Sequence, residues 1–370
     1  MFNYVISEKG IVMKIVIKVG SQSILSPTGE PLEPIMQTII EQIICLQQAG
    51  HKVILVSSGA VALGRNYAKA VLNRNYANSV ADKQLLASLG QPQLMAIYNK
   101  LCAKYNYLAA QLLLTKYDFR NKRSYINILR LLQKSLDQPH VISIINENDS
   151  VAVEELMFTD NDELSGIIAS QIGADKLLLL TTTSGVYDKN PEHNDAKLLT
   201  EINLQDQLPE VSGKSGLGRG GMSSKLNTAR KIANLGIMTH IANLAEPNII
   251  TRLVLEQEAI GTRIIPLSRQ TARKKYLAFS QENIQAKIVV NQGLVNVLHQ
   301  ANQPISILPI GVEAFINEFR SGDLIEITSI TGEELGVGIA RYSSDKLNEY
   351  LGKHHCPELI HYDYLYLFPY

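Results

Sequence analysis

The chain has 370 residues, with 35 Lys and Arg against 35 Asp and Glu, 45% hydrophobic residues and 19% charged ones. That length accommodates two domains and the composition is that of a soluble globular protein, while zero formal charge removes any global electrostatic case for nucleic acid or an anionic membrane. No apolar run approaches the roughly 20 residues of a membrane span, and Cys45, Cys102 and Cys356 lack metal-ligand spacing and suit a reducing, cytoplasmic compartment without a disulfide.

Residues 1–12 read as an N-terminal extension without a secretory signal, with Met13 as an alternative start. KIVIKVG (14–20) is a β-rich run ending in glycine. PIMQTIIEQIICLQQAG (34–50) repeats apolar residues at helical spacing and stops at a glycine. KVILVSSGA (52–60) is a strand turning into a small-residue loop, and LLASLGQPQLMAIYNKLCAKY (85–105) is helical. AAQLLLT (109–115), HVISIIN (140–146) and KLLLLTT (176–182) are further apolar strands. Near-continuous apolar strands separated by helices predict an α/β domain over 13–266, a mostly parallel sheet covered on both faces. A basic linker follows (267–279), then a second domain (280–358) and a tail (359–370). In the second domain AKIVVNQG, PISILPIGV, DLIEITSI and ELGVGIARYS read as short strands of a small β-barrel-like fold.

Ligands of such parallel sheets gather at the carboxyl ends of the strands, and the polar motifs sit there. Lys18 closes the first strand and points into a crevice or snorkels to the surface. Ser58 follows the second strand, where small residues allow close backbone approach and a hydroxyl can hold a carboxylate or cap a helix. Asn146 and Asp149 lie in INENDSV (145–151). Such a density of amides and acids cannot lie unpaired in a core, and it can read an amino-acid head group, Asp taking the ammonium and Asn the carboxylate. Asp160, Asn161 and Asp162 stand before a helix as site acids or as caps. Thr181 and Thr182 close another strand. SGLGRGGMSSK (215–225) is a glycine-rich loop running into a helix, a phosphate cradle or a surface turn. Gly216, Gly218 and Gly221 satisfy G-x-G-x-x-G, but late in the chain rather than after a first strand, and Leu208 stands where a Walker loop needs glycine. Two distant lysines, a glycine loop and acids at strand ends suit phosphoryl transfer, in which catalysis is mostly positioning and electrostatics. There is no HExxH and no Ser/His/Asp order.

Together IVIKVGS (15–21), LVSSGA (55–60), KQLLASLGQ (83–91), INENDSV, TDNDELS (159–165), GADKLLLLT (173–181) and the glycine loop resemble the glutamate 5-kinase branch of the amino acid kinase family. GVGIARYSSDKL (336–347) and LGKHH (351–355) resemble the PUA domain found at its C-terminus. The resemblance runs from about residue 13 to the end. It implies a three-layer αβα fold and ATP- and Mg²⁺-dependent phosphorylation of the γ-carboxylate of L-glutamate, the first step of proline synthesis. It also implies feedback inhibition by L-proline and a homo-oligomer, dimer or tetramer. By motif position Lys18 and Lys225 would bind phosphate, with Asp160 and Asp162 organising them. Ser58, Asn146, Asp149 and Asn161 would hold glutamate. Thr181, Thr182, Arg219, Gly220, Gly221, Met222, Ser223, Ser224 and Lys225 would face the nucleotide. Thr182, Thr159 and Arg219 depart from the family pattern, which has Asp, Gly and Thr there.

A sister activity on N-acetylglutamate, aspartate, carbamate or UMP is the alternative. INENDSV favours free glutamate, because Asp149 would lose its partner on an acylated amine. A PUA-like module also raises RNA binding, but residues 280–370 carry five Lys and Arg against eleven Asp and Glu, a formal charge of −6 and poor equipment for phosphate.

Overall fold

The protein is described by a computed structural model covering residues 12–368 except 121, 152–157, 159, 192, 194, 205–220, 267–283, 285 and 300–304. The extension at 1–11, Thr159, the loop at 215–220 with Arg219 and Gly220, and the linker at 267–279 therefore lie outside the described residues. The chain divides into two compact units, residues 1–269 and 270–370.

The first unit runs β1 (Lys14–Val19), α1 (Ser21–Ile24), α2 (Glu33–Gln48), β2 (Lys52–Ser57), α3 (Ala60–Leu72), α4 (Val80–Ala103), β3 (Leu108–Leu114), α5 (Lys116–Arg120), α6 (Lys122–Leu136) and β4 (Val141–Glu147). It continues with α7 (Asn161–Ile172), β5 (Lys176–Thr181), a short hairpin of β6 (Val186–Tyr187) and β7 (Leu198–Leu199), β8 (Glu201–Asn203), α8 (Met222–Asn234), β9 (Met238–Asn243), α9 (Ile249–Val254) and β10 (Thr262–Ile265). Eight strands form one sheet in the order β3-β4-β2-β1-β5-β9-β10-β8. The six from β3 to β9 are mutually parallel, and β10 runs antiparallel to β9 at one edge. Helices are required to join parallel neighbours, and each predicted strand of this unit is separated from the next by one or more of them.

The register sets the site. Val19 of β1 lies beside Ser57 of β2 and Leu180 of β5, so these strands finish level with one another. Side chains of a strand alternate between faces. Ile15, Ile17 and Val19 enter a core shared with Ile39 and Ile43 of α2, Leu94 and Tyr98 of α4 and Leu253 of α9. Val16 and Lys18 consequently face the other layer, where α7 packs on β1 and touches α6 and α8. The sheet is thus covered on both faces, and the lysine belongs to the α7 side.

Two glycines bring α3 and α4 into unusually close contact. A Cβ on Gly64 would sit 1.8 Å from the Leu86 carbonyl oxygen, and one on Gly90 would sit 1.8 Å from that of Ala60. Any side chain at either position would have to part the two backbones. α4 starts earlier than its apolar periodicity suggests, because the Ser79 hydroxyl accepts from the Asp82 N–H and caps it.

The second unit contains β11 (Lys287–Val290), α10 (Gln292–His299), β12 (Val312–Ile316), β13 (Leu324–Ser329), β14 (Glu334–Ile339), α11 (Ser344–Tyr350) and β15 (Leu365–Leu367). Its five strands pair in the order β12-β11-β13-β14-β15, with β11 and β13 parallel and the other pairs antiparallel. Ile288, Ile325, Ile327, Leu335, Leu359 and Ile360 form its core. The expected strand PISILPIGV is a correction: Ile307 makes a single bridge to Ile360, Pro309–Gly311 is a 3₁₀ turn, and the strand begins only at Val312. Pro309 has no N–H to give a ladder, which stops the run from pairing throughout.

Gly90→Ala is expected to lower stability by about 1–3 kcal/mol through overpacking, read as a fall in the thermal unfolding midpoint. Gly293→Ala, in α10 with only a 3.4 Å neighbour, is the control and should leave the midpoint unchanged or raise it. An unchanged midpoint for Gly90→Ala would show that the helices separate without cost.

Candidate active site

A cavity of about 690 Å³ opens at the carboxyl ends of β1, β2, β4 and β5. Its centre is an ion triad. Lys18 Nζ lies 2.6 Å from Asp162 Oδ1, and Lys225 Nζ donates to Asp162 Oδ2 at 2.8 Å. Asp162 is fully buried, and the lysines are 4% and 8% exposed. Isolated buried charges of this kind would cost several kcal/mol each, and pairing offsets that cost. Burial alone would push the Asp162 carboxyl up, but the two ammoniums outweigh it and hold the group below the ordinary carboxylate range. Lys18 is lowered, first by burial and then by the Lys225 charge, although Asp162 acts in the opposite sense. One carboxylate thus serves two ammoniums, and both lysines line the cavity.

Asp160 is a different kind of acid. It is the N-cap of α7, its Oδ1 accepting from the Asp162 and Glu163 N–H groups at 2.9 and 3.1 Å, while its Oδ2 accepts from the Ser224 hydroxyl of α8. This ties the starts of α7 and α8 together. Burial, then the neighbouring Asp162 charge, raises its carboxyl above the usual range.

Helices α1, α3 and α7 begin at this cavity, and α8 reaches it at Lys225. α7 is capped by Asp160, whereas the N-cap glycines of α3 and α8 make no side-chain cap hydrogen bond. The helix dipoles favour an anion at these N-terminal ends. The entry to α3 is made by Gly59 at φ +114°, a conformation that a residue with Cβ rarely adopts. It places the Ser58–Gly59 backbone at the cavity wall.

On the β2–β4 side the wall is a chain of amides. Asn161 Nδ2 donates to Ser58 Oγ and to Asn146 Oδ1, both at 2.8 Å. Asn146 Oδ1 also accepts from the Glu147 N–H, and Asn146 Nδ2 donates to Gln91 Oε1 at 2.9 Å. Asn146 is thus largely spent on its neighbours, and Asn161, Ser58 and Asp149 complete the wall.

Of the residues singled out from sequence, Lys18, Ser58, Asn146, Asp149, Asp160, Asn161, Thr181, Thr182 and Lys225 line this one cavity. Asp162 lies behind the lysines. Gly221 is the N-cap of α8, and Met222, Ser223 and Ser224 form its first turn; none of the four lines the cavity. Arg219 and Gly220 lie outside the described residues. Several contributors went unnoticed in the sequence. Gly20–Ser23 and Gly29 line the cavity, as do Arg65, Lys69 and Lys83 of α3 and α4. Arg65 also braces the connection between these helices by donating to the Tyr76 and Ala77 carbonyls and to Asn78 Oδ1. The signal available for Lys83 and Gln91 was their place at the two ends of KQLLASLGQ. No histidine lines the cavity among the described residues. Nor does any group of three or more His, Cys, Asp or Glu there offer a metal site, and no described helix is long and apolar enough to cross a membrane.

Comparison with known proteins agrees with this architecture. Residues 13–243 match the model of the amino acid kinase family and residues 286–362 that of the PUA domain. A protein of Chlorobaculum tepidum named glutamate 5-kinase is 37% identical over 361 residues, covering 96% of this chain and 98% of its own. Proteins with the same name from Bacteroides thetaiotaomicron and Methylococcus capsulatus are 36% and 37% identical, each covering 96% of this chain and 98% and 97% of their own. The chain is thus matched along nearly its whole length, and it belongs to the amino acid kinase family, with a PUA domain after its kinase domain.

Proposed function

We propose that the chain transfers the γ-phosphoryl group of ATP to the γ-carboxylate of L-glutamate, giving L-glutamyl 5-phosphate and ADP, the first step of proline synthesis. The observation that carries this reading is the Lys18–Asp162–Lys225 triad at a cavity also lined by Ser58, Asp149 and Asn161. The relatives named glutamate 5-kinase, which align with almost all of the chain, support the choice of substrate.

The chemistry suits the groups present. A γ-carboxylate oxygen attacks the γ-phosphorus as the bond to the β-phosphate oxygen breaks. The acceptor is already ionised near neutral pH, so no base has to remove a proton, in keeping with a described cavity wall without histidine. The obstacle is charge: two anions about 4 Å apart repel by about 4 kcal/mol even at an effective dielectric of about 20. Lys18 and Lys225 offset that repulsion and stabilise the charge that spreads over the transferring group. Asp162 keeps both side chains aimed at one point. The uncapped start of α8 would face the phosphates and that of α3, beside Ser58, the α-carboxylate of glutamate. Asp149 and the Asn161 carbonyl would take its ammonium. Thr181 and Thr182 would lie toward the nucleotide.

Magnesium is the cation that the family implies. Asp160 is committed to the α7 cap and to Ser224, so the ion would be held mainly by the phosphates and water, as is usual for Mg²⁺ in such sites. It would neutralise phosphate charge. We further read the kinase domain as 13–266, and the second domain, with its charge of −6 over 280–370, as serving regulation or assembly rather than RNA. L-proline as a feedback inhibitor, a dimeric or tetrameric state and a cytoplasmic location belong to the same reading.

The direct test is ATP- and Mg²⁺-dependent formation of acyl phosphate, trapped with hydroxylamine. Glutamate is expected to outperform N-acetylglutamate, and the reverse order would overturn the assignment. Lys225→Ala should lower kcat by about 10²–10³-fold, the usual cost of one electrostatic donor; full turnover would remove it from catalysis. Lys18 must be charged to attract phosphate, and it loses its proton as pH rises. Because its value is lowered from 10.5, kcat/KM for ATP should fall on an alkaline limb below that pH, whereas a flat profile to pH 10.5 would contradict the role.

A further inference from the structure

Gln91 lies on the buried face of α4, next to the glycine that lets α4 touch α3, and is only 9% exposed. It does not line the cavity. Its bond to Asn146 nevertheless belongs to a chain of four groups whose polarity can be read in one direction only. The chain starts at the Glu147 N–H, a backbone donor that cannot be reversed, so the atom of Asn146 facing it must be the oxygen. The other end of the Asn146 amide is then a donor, and Gln91 must present its oxygen to it. The atom of Asn161 that approaches Asn146 Oδ1 must likewise be its nitrogen. Within this chain of amides two buried atoms are left without a hydrogen-bond partner among the described residues, Asn161 Oδ1 and Gln91 Nε2. Turning the Asn161 amide over would set its oxygen against Asn146 Oδ1 and lose that bond, while the Ser58 hydroxyl, which can donate as well as accept, does not by itself fix the orientation. An unsatisfied buried acceptor costs about 1–3 kcal/mol, and Asn161 lines the cavity. The acceptor is thus held in readiness for a donor that arrives with a ligand.

We infer that Gln91 is a positioning residue for substrate selection: by clamping Asn146, it locks Asn161 so that it offers a carbonyl oxygen, and never an N–H, to the ammonium of the amino-acid substrate. The inference rests on the proposed reading that the substrate is glutamate. The oxygen of Gln91 is what matters. Its nitrogen takes no part, and this separates the proposal from simple packing.

Gln91→Met keeps length and volume but removes the acceptor, leaving Asn146 Nδ2 unsatisfied and Asn146 anchored by the Glu147 N–H alone. Gln91→Glu keeps an oxygen against Asn146 Nδ2 and replaces the unused N–H₂ by the second oxygen of a carboxyl group. In steady-state assays of the full-length protein, Gln91→Met should raise the KM for glutamate about 10-fold or more, the worth of one hydrogen bond to a charged group. Its KM for ATP should stay within about 2-fold of the wild-type value. Gln91→Glu should keep the glutamate KM within about 3-fold of wild type. A loss that is merely structural would raise both KM values, or lower kcat alone, in Gln91→Met. That result overturns the inference, as does a Gln91→Glu protein with a glutamate KM raised 10-fold. The second variant suffices by itself if the first does not fold. Wild-type protein that makes no acyl phosphate from glutamate would instead sink the proposed function, whereas wild-type turnover with an unaltered glutamate KM in Gln91→Met sinks the Gln91 role alone.

Discussion

A single carboxylate holding two ammoniums out of water is the constraint around which the first domain is arranged. Asp162 can be fully buried only because Lys18 and Lys225 reach it, and the lysines can be buried only because Asp162 is there. Three elements must therefore arrive at one point. β1 supplies Lys18 on the face opposite the α2 core, α7 supplies Asp162 in its first turn, and α8 supplies Lys225 in its first turn. Asp160 fixes the same junction from outside, capping α7 and accepting from Ser224 of α8. Packing of α7 against both β1 and α8 is thus electrostatic as well as hydrophobic.

The substrate wall follows from a different restriction. Gly64 and Gly90 let α3 and α4 touch backbone to backbone. At one end of that contact Gly90 meets Ala60, which brings Gln91 and the Gly59 turn close together. The small-residue loop after β2 and the amide chain from α4 are therefore parts of one rigid construction, so a glycine remote from the cavity governs the position of groups that line it.

Much of this was legible in the sequence for a plain reason. A lysine within the run KIVIKV is conspicuous because the strand around it is apolar, and acids and amides clustered after INE cannot be core. The parallel sheet followed from uninterrupted strands separated by helices. What the sequence did not disclose depends on distance in the chain. Asp160 and Asp162 look alike in TDND, and only the approach of α8 makes one a cap and the other a counter-ion. Gln91 sits on a helix whose apolar spacing reads as ordinary core, and its partner Asn146 is 55 residues away. Arg65, Lys69 and Lys83 lie on α3 and α4, far in the chain from most of the strand-end motifs. In the second domain, PISILPIGV has the composition of a strand, but Pro309 opens a 3₁₀ turn that interrupts its pairing.

The triad also determines which ions the resting enzyme ignores. With Asp162 in place, two positive charges are reduced to a single surplus one, shared between two ammoniums. A small monovalent anion such as chloride meets only that remainder and must surrender hydration to reach it. A polyphosphate can span both ammoniums and still face the open N-terminus of α8. The buried carboxylate thereby acts as a built-in competitor for the two ammoniums that a bound phosphate would meet.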